Sequence, residues 1–399
     1  MGQLRMPARR LVPLTGLAAL AAAVAFAAVP AFAAPTEGEI LNAGGKTAIA
    51  NSYIVVLKPA ASRAVAATAR ALAGRHQGSV KYTYETALKG FATTMSEANA
   101  KKLAVEPGVE YVEQDHAVRM SGVQPNPPSW GLDRIDQPNL PLDNSYTYPN
   151  DASNVTAYIV DTGILTSHTT FGGRARHGRD LVDNDNDATD CQGHGTHVAG
   201  TVGGSQYGVA KAVKLVAVRV LNCQGSGTNA GVIAGVDWVT ANAVKPAVAN
   251  MSLGGGFSSA LNSATNSLAN SGVFIAVAAG NENQNACNVS PAPASAAYTT
   301  AASDRSDRKP SWSNWGSCVD AYAPGVSIRS AWLNGGTNTI SGTSMASPHV
   351  AGVAALYKGR FGDASSSTVS SWITSNATTN VIVGNRTGTP NRLLYKSTL

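Results

Sequence analysis

Three short polar side chains stand among glycines in ways that suit covalent chemistry. Residues 157–164, AYIVDTGI, run an apolar stretch into Asp161 and follow it with Thr-Gly. Residues 190–200, DCQGHGTHVAG, hold His194 and His197, and residues 341–352, SGTSMASPHVAG, hold Ser344. An Asp-Thr-Gly after a buried strand fits an aspartyl dyad, in which two carboxylates share a proton. The motif occurs once in the chain, so that chemistry would need a symmetric dimer and an all-β fold. The same residue types also fit a nucleophilic serine whose proton passes to an imidazole oriented by a carboxylate. His194 and Ser344 each lie where a glycine-rich loop runs into a helix. A serine there has its own backbone N–H aimed at any oxyanion forming beside it. Asp161 ends a strand, at the sheet edge where open α/β proteins bind ligands. His194-x-x-His197 lacks the glutamate of the His-Glu-x-x-His zinc motif, and His197 is expected to be a packed structural histidine.

The elements that must position these residues form two patterns. From Trp130 onward, apolar runs alternate with helical stretches: NVTAYIVD, VKLVAVRVL, AVANMSL, GVFIAVAAG, AYTTAAS and CVDAYAPG. Near-continuous runs of this kind belong to strands covered on both faces. Helices are expected over 194–203, 229–243, 258–271, 344–360 and 365–375. The implied fold class is α/β, with a mostly parallel sheet in one domain over residues 123–399. Residues 52–115 alternate differently: SYIVVLK, a helix candidate over 60–74, VKYTY, GFATTM, a helix opened by Ser96, and GVEYVEQD. That order, βαββαβ, is a ferredoxin-like split unit. Between the two lies SGVQPNPPSW (121–130), whose three prolines read as an extended, cleavable connector.

Arg5, Arg9 and Arg10 precede an apolar run from Leu11 to Val29 that ends at Ala31-Phe32-Ala33. A basic head, an apolar stretch and a small-x-small site predict a secretory signal over residues 1–33 and a secreted mature protein without a membrane anchor. The net charge of +6 does not point to nucleic acid. Residues 1–122 hold 13 Lys and Arg against 8 Asp and Glu, whereas residues 123–399 hold 17 against 16. If the first 122 residues are removed, almost all the basicity leaves with them. The four cysteines, Cys191, Cys223, Cys287 and Cys318, include no Cys-x-x-Cys pair, and in an exported chain they suggest disulfides, with three pairings open.

Asp161 in IVDTG, His194 in GHGTHVAG, Asn281 in AAGN and Ser344 in GTSMASPHVAG resemble, in that order, the four active-site blocks of the subtilisin-like serine proteases. WGLDRIDQ, YGVAKAVKLVAVRVL, ANMSLGGG and GTPNRLLY extend the resemblance, which is nearest to the aqualysin-like members of the proteinase K group, and residues 52–115 resemble that family's inhibitory propeptide. The resemblance implies a subtilisin-like fold and a secreted, broad-specificity serine endopeptidase that processes its own precursor. It implies Asp161, His194 and Ser344 as the triad and Asn281 as an oxyanion donor. Ser252, Leu253 and Gly254 would pair with a polypeptide substrate, and Ala279 and Gly280 would line the primary pocket. A pocket walled by Gly and Ala with no acidic base implies an apolar or aromatic preference. The disulfides implied are Cys191–Cys223 and Cys287–Cys318. The propeptide would serve as intramolecular chaperone and inhibitor of a monomeric enzyme.

Acidic loops raise the question of a hard cation, which favours oxygen ligands. DLVDNDNDATDC gathers Asp183, Asp185, Asp187 and Asp190 but lacks the glycine and terminal glutamate of an EF-hand loop. Asp133, Asp136, Gln137 and Asp143, and separately Asp320, resemble family Ca2+ ligands, implying structural calcium. Two other functions compete. A silent peptide-binding homologue would need a lost triad residue, and none is lost. An α/β-hydrolase esterase would need Gly-x-Ser-x-Gly and the order Ser, Asp, His, whereas Ser344 comes last with Thr343 before it and Ala346 at the second glycine position.

Overall fold

Valine, isoleucine and alanine runs leave no polar face for solvent, so the strands they form must be covered by helices on both sides. The computed structural model describes residues 36–44, 48–116 and 122–399, in two units spanning 1–117 and 118–399. The expected signal, residues 1–33, lies outside the described residues.

The first unit contains β1 (Ile40–Leu41), β2 (Ala48–Leu57), α1 (Val65–Arg75), β3 (Ser79–Tyr84), β4 (Gly90–Thr94), α2 (Glu97–Ala104) and β5 (Val109–His116). Its sheet has the order β1-β5-β2-β4-β3, the expected split unit with one short strand added at the edge. Ser96 caps α2 by accepting from Asn99 N at 3.3 Å. Neither Ala61 nor Ala64 offers such a cap, and a 3₁₀ turn over Ser62–Ala64 delays α1 beyond the predicted start at 60. Tyr53, Val55, Phe91 and Val112 pack with Ala69 and Leu103 as its core.

The second unit runs β6 (Gly122–Pro125), α3 (Trp130–Ile135), β7 (Ser145–Tyr148), β8 (Thr156–Asp161), β9 (Ala175–Asp180), α4 (His194–Gly203), β10 (Lys214–Arg219), α5 (Asn229–Asn242), β11 (Ala247–Met251), β12 (Gly255–Gly256), α6 (Ser259–Asn270) and β13 (Phe274–Ala278). It continues through β14 (Val289–Ser290), β15 (Tyr298–Ser303), β16 (Ala321–Pro324), β17 (Ile328–Ala331), β18 (Thr337–Ile340), α7 (Thr343–Phe361), α8 (Ser366–Asn376), β19 (Thr378–Thr379) and β20 (Arg392–Leu393). Nine strands form the order β19-β20-β16-β15-β13-β11-β8-β10-β9, parallel except for β19 against β20. In this unit each predicted apolar run contains a strand, and each of the five helices predicted over 194–375 is present within a residue or so of its ends.

The connector is the main departure. Gly122–Pro125 pairs antiparallel with β7, and Trp130 is the first residue of α3 rather than the end of a linker. Pro125 is tolerated because a two-stranded ribbon leaves an edge where no donor is required. β9, ARHGRD, carries too many polar residues to read as a covered strand; it is the sheet's last strand and pairs only with β10.

After β8 the chain places β9 and β10 on one side, then returns to place β11, β13, β15 and β16 on the other. That reversal leaves a crevice beyond the carboxyl ends of the central strands. Adjacent residues on β8 face opposite layers: Ile159 joins Val198 of α4 and Val350 of α7, while Tyr158 joins Val236 of α5 and Leu268 of α6. The disulfides are Cys191–Cys223 and Cys287–Cys318, separated by 32 and 31 residues, loop sizes worth roughly 3–4 kcal/mol each in the chain-entropy model. No helix among the described residues is long and apolar enough to cross a membrane.

Candidate active site

β8 ends on Asp161, whose carboxylate is fully buried. Its Oδ1 accepts from Thr162 N at 2.8 Å and lies 2.7 Å from His194 Nδ1. His194 opens α4 after Gly193, which takes the left-handed φ of 107° and whose Cβ position would fall 2.6 Å from the Trp332 ring. Only glycine fits that entry. Burial lowers the His194 pKa, but the charge and hydrogen bond of Asp161, joined by the charge of Asp190, outweigh it and the pKa is raised.

Ser344 sits in the first turn of α7. Its Oγ donates to Ser252 O at 3.1 Å, and Ser252 Oγ donates to Ser344 O at 2.7 Å. Behind this exchange, Asn250 Nδ2 donates to Ser252 Oγ, and Ser347 Oγ donates to Asn250 Oδ1. Asn281 Oδ1 is taken up by Thr343, so its amide nitrogen is left as the free end. His194, Ser252, Leu253, Gly254, Gly280, Asn281 and Ser344 line one cavity of about 530 Å³.

Ala279 does not line that cavity. Ala278 and Gly280 do, because successive residues point to opposite sides of an extended chain. Ala279 is buried beside Ala286, Ala301 and Val319, and its carbonyl accepts from Asn314 Nδ2 at 2.9 Å. Two cavity features went unread in the sequence. One is the wall from Gln224 to Asn229, tethered through Cys223 to Cys191; the Gly225-Ser226-Gly227 run before α5 was its available signal. The other is Glu282, which puts an acidic group on the cavity wall. Its Oε2 accepts from Asn281 N and Asn314 Nδ2.

His197 is the packed histidine expected: it is fully buried, Nε2 donates to Ile328 O at 3.0 Å, and burial pushes its pKa down to about 4. The acidic loop is organised by arginine. Asp180 and Asp183 each lie 2.6 Å from Arg219, and Asp185 Oδ1 accepts from Asp187 N. Five donors converge on Asp190, which takes it out of the cation set.

In the other loop, Asp133 accepts from Asp143 N and Asn144 N, Gln137 Oε1 from Asp143 N, and Asp136 from Thr147 N. Burial raises the pKa of Asp133 and Asp136. Asp320 faces a cavity of about 390 Å³ lined by Ser295, Ala296 and Ala297, and burial pushes its pKa up to about 6. A desolvated carboxylate facing a cavity fits a hard cation. No group of three or more His, Cys, Asp or Glu is gathered for a metal among the described residues.

Comparison with known proteins gives consistent matches. The family model described as the subtilase family matches residues 152–393, and that of peptidase inhibitor I9 matches residues 52–121. The chain is 50% identical over 366 residues to alkaline serine exoprotease A of Vibrio alginolyticus, covering 88% of this chain and 68% of that protein. It is 52% identical over 318 residues to an extracellular serine proteinase of Thermus sp. (strain Rt41A), covering 79% and 77%. A crystal structure of a cold adapted subtilisin-like serine proteinase superposes with a TM-score of 0.66 at 57% identity, covering 67% of this chain and 97% of that one.

Proposed function

Since the chain belongs to the subtilase family and is a serine endopeptidase with an I9 inhibitor domain, we propose that it hydrolyses peptide bonds through Asp161, His194 and Ser344. The observation that carries this reading is the 2.7 Å contact of buried Asp161 with Nδ1 of His194, a residue that lines one cavity together with Ser344. Ser344 Oγ exchanges the Ser252 carbonyl for His194 Nε2, gives up its proton there, and attacks the substrate carbonyl carbon. Asp161 keeps the imidazole in the Nδ1–H tautomer and stabilises the imidazolium. The tetrahedral oxyanion is met by Asn281 Nδ2 and the unpaired Ser344 N–H. His194 then returns the proton to the leaving amine, and water repeats the cycle on the acyl-enzyme.

Ser252, Leu253 and Gly254 are proposed to pair with the substrate main chain, and Gly280 with Ala278 to wall the primary pocket. The small side chains of Gly280 and Ala278 leave room for a large residue, which supports a broad preference for apolar and aromatic side chains. Residues 34–122 are proposed to act as chaperone and inhibitor, with the cut near Gly122–Val123, and the mature enzyme as a secreted monomer. Ca2+ would be held at Asp320 and its neighbouring carbonyls and in the 133–143 loop, supplying rigidity rather than chemistry. Ser344→Ala tests the reading: loss of peptide hydrolysis by a folded chain is expected, and retained turnover refutes it.

A further inference from the structure

The Asp190 carboxylate, 3% exposed, meets five donors. Oδ1 accepts from Thr162 Oγ1 at 2.9 Å, Gln192 N at 2.9 Å and Gly193 N at 2.8 Å. Oδ2 accepts from Thr196 N at 2.9 Å and Thr196 Oγ1 at 2.6 Å. Capping α4 alone would need only the backbone donors of its first turn. The bond from Thr162, the residue after Asp161, ties the helix start to the end of β8 as well. Thr162 Oγ1 accepts in turn from Gly195 N at 2.9 Å, and Thr196 Oγ1 from Leu165 N at 2.9 Å. The two elements leave no slack, since a Cβ on Gly195 would stand 2.1 Å from Gly163 O.

We propose that Asp190 is a positioning residue for peptide hydrolysis: it clamps the carboxyl end of β8 to the amino end of α4, so fixing Asp161 against His194, and its charge stabilises the imidazolium. The role rests on the triad reading above. A clamp of this kind acts on geometry that catalysis feels steeply, because a displacement of about 1 Å can cost about 10²-fold in rate.

Among the described residues the charged or titratable groups around His194 are few, and Glu282 lines the same cavity. Asp161 faces it from β8, Asp190 from the preceding loop, and His197 from one turn along α4. His349 of α7 faces His197. His168 beside the short turn before β9 is bonded to Gly336 O. Arg219 of β10 is taken up by Asp180 and Asp183, and Arg329 of β17 points to Thr337. Of these, Asp190 is the anion besides Asp161 that raises the His194 pKa.

The test compares wild type, Asp190→Asn, Thr162→Val and Ser344→Ala in the full chain, with active sites counted by a sulfonyl fluoride. Asp190→Asn is isosteric but neutral and presents an NH2 group to the Thr196 donors. Its kcat should fall about tenfold or more with KM within about twofold. The acid limb of its kcat/KM profile should move to lower pH by about half a unit to one unit. Thr162→Val keeps the charge, so its kcat should fall while the acid limb stays. An Asp190→Asn enzyme that melts earlier yet keeps wild-type kcat and acid limb overturns the proposal, showing a cap and nothing more. Should Asp190→Asn not accumulate folded, a wild-type kcat in Thr162→Val overturns the clamp. Turnover retained by Ser344→Ala would overturn the triad reading, and this role with it. Loss in Ser344→Ala beside an unchanged Asp190→Asn overturns this role alone.

Discussion

Asn281 Oδ1 accepts from both the backbone N–H and the hydroxyl of Thr343, at 2.9 and 3.0 Å. The amide is thereby locked to the residue before Ser344, and Asn281 lines the cavity. Asn281→Ala should lower kcat by roughly 10²–10³ with little change in KM, the figure known for one oxyanion-hole donor of a subtilisin. Steady-state kinetics on a peptide ester and a peptide amide check this, and a loss confined to KM would mean that Asn281 binds the ground state.

Acid should destabilise the second unit through His197 and His349. Both are fully buried, each uses one ring nitrogen on a backbone carbonyl, and the pKa of each is pushed down to about 4. The unfolded chain binds protons at these residues below about pH 6.5, whereas the folded chain does not until about pH 4. Stability is therefore full above about 6.5 and falls as pH drops toward 4, by up to about 3 kcal/mol per histidine. Thermal midpoints of Ser344→Ala across that window should fall with pH, and His197→Gln should flatten the slope. Identical slopes would exclude His197.

Chelation should shorten the thermal inactivation half-life before it touches activity at room temperature. The carboxylates of Asp133, Asp136 and Asp320 are desolvated, and a bound cation would offset that cost at residues that do not line the cavity of Ser344. An unchanged half-life in EDTA at high temperature would remove calcium from the account.

Residues 35–122 should speed refolding of residues 123–399. A nine-stranded sheet made of non-local contacts folds slowly, and a small unit with its own core can template it. Denatured 123–399 carrying Ser344→Ala should regain native signal faster with 35–122 added in trans. Equal rates and equal yields would leave 35–122 as a spacer.

What the sequence made legible follows from local physics. Covered strands such as Thr156–Asp161 and Phe274–Ala278 announce themselves as apolar runs, and the glycine loops before His194 and Ser344 mark helix entries. The polar strand Ala175–Asp180 does not, because it lies at the sheet edge with one neighbour. The family resemblance implies Ala279 beside Gly280 in the pocket wall, whereas the alternation of an extended chain puts Ala278 there. Glu282 and Asp190 were readable as acids, but their partners are not local: Asn314 lies 32 residues from Glu282, and Thr162 lies 28 from Asp190. The hydrogen bonds that give those carboxylates their meaning exist only after the sheet has formed.

In the proposed mechanism Ser344 is a nucleophile activated by His194, whose imidazole Asp161 orients. Mass spectrometry of the folded chain after treatment with phenylmethylsulfonyl fluoride tests it most directly. The account predicts one adduct per molecule on the peptide containing Ser344, and a much slower adduct in His194→Ala. Labelling on another residue, or labelling of Ser344 at an undiminished rate in His194→Ala, would contradict it.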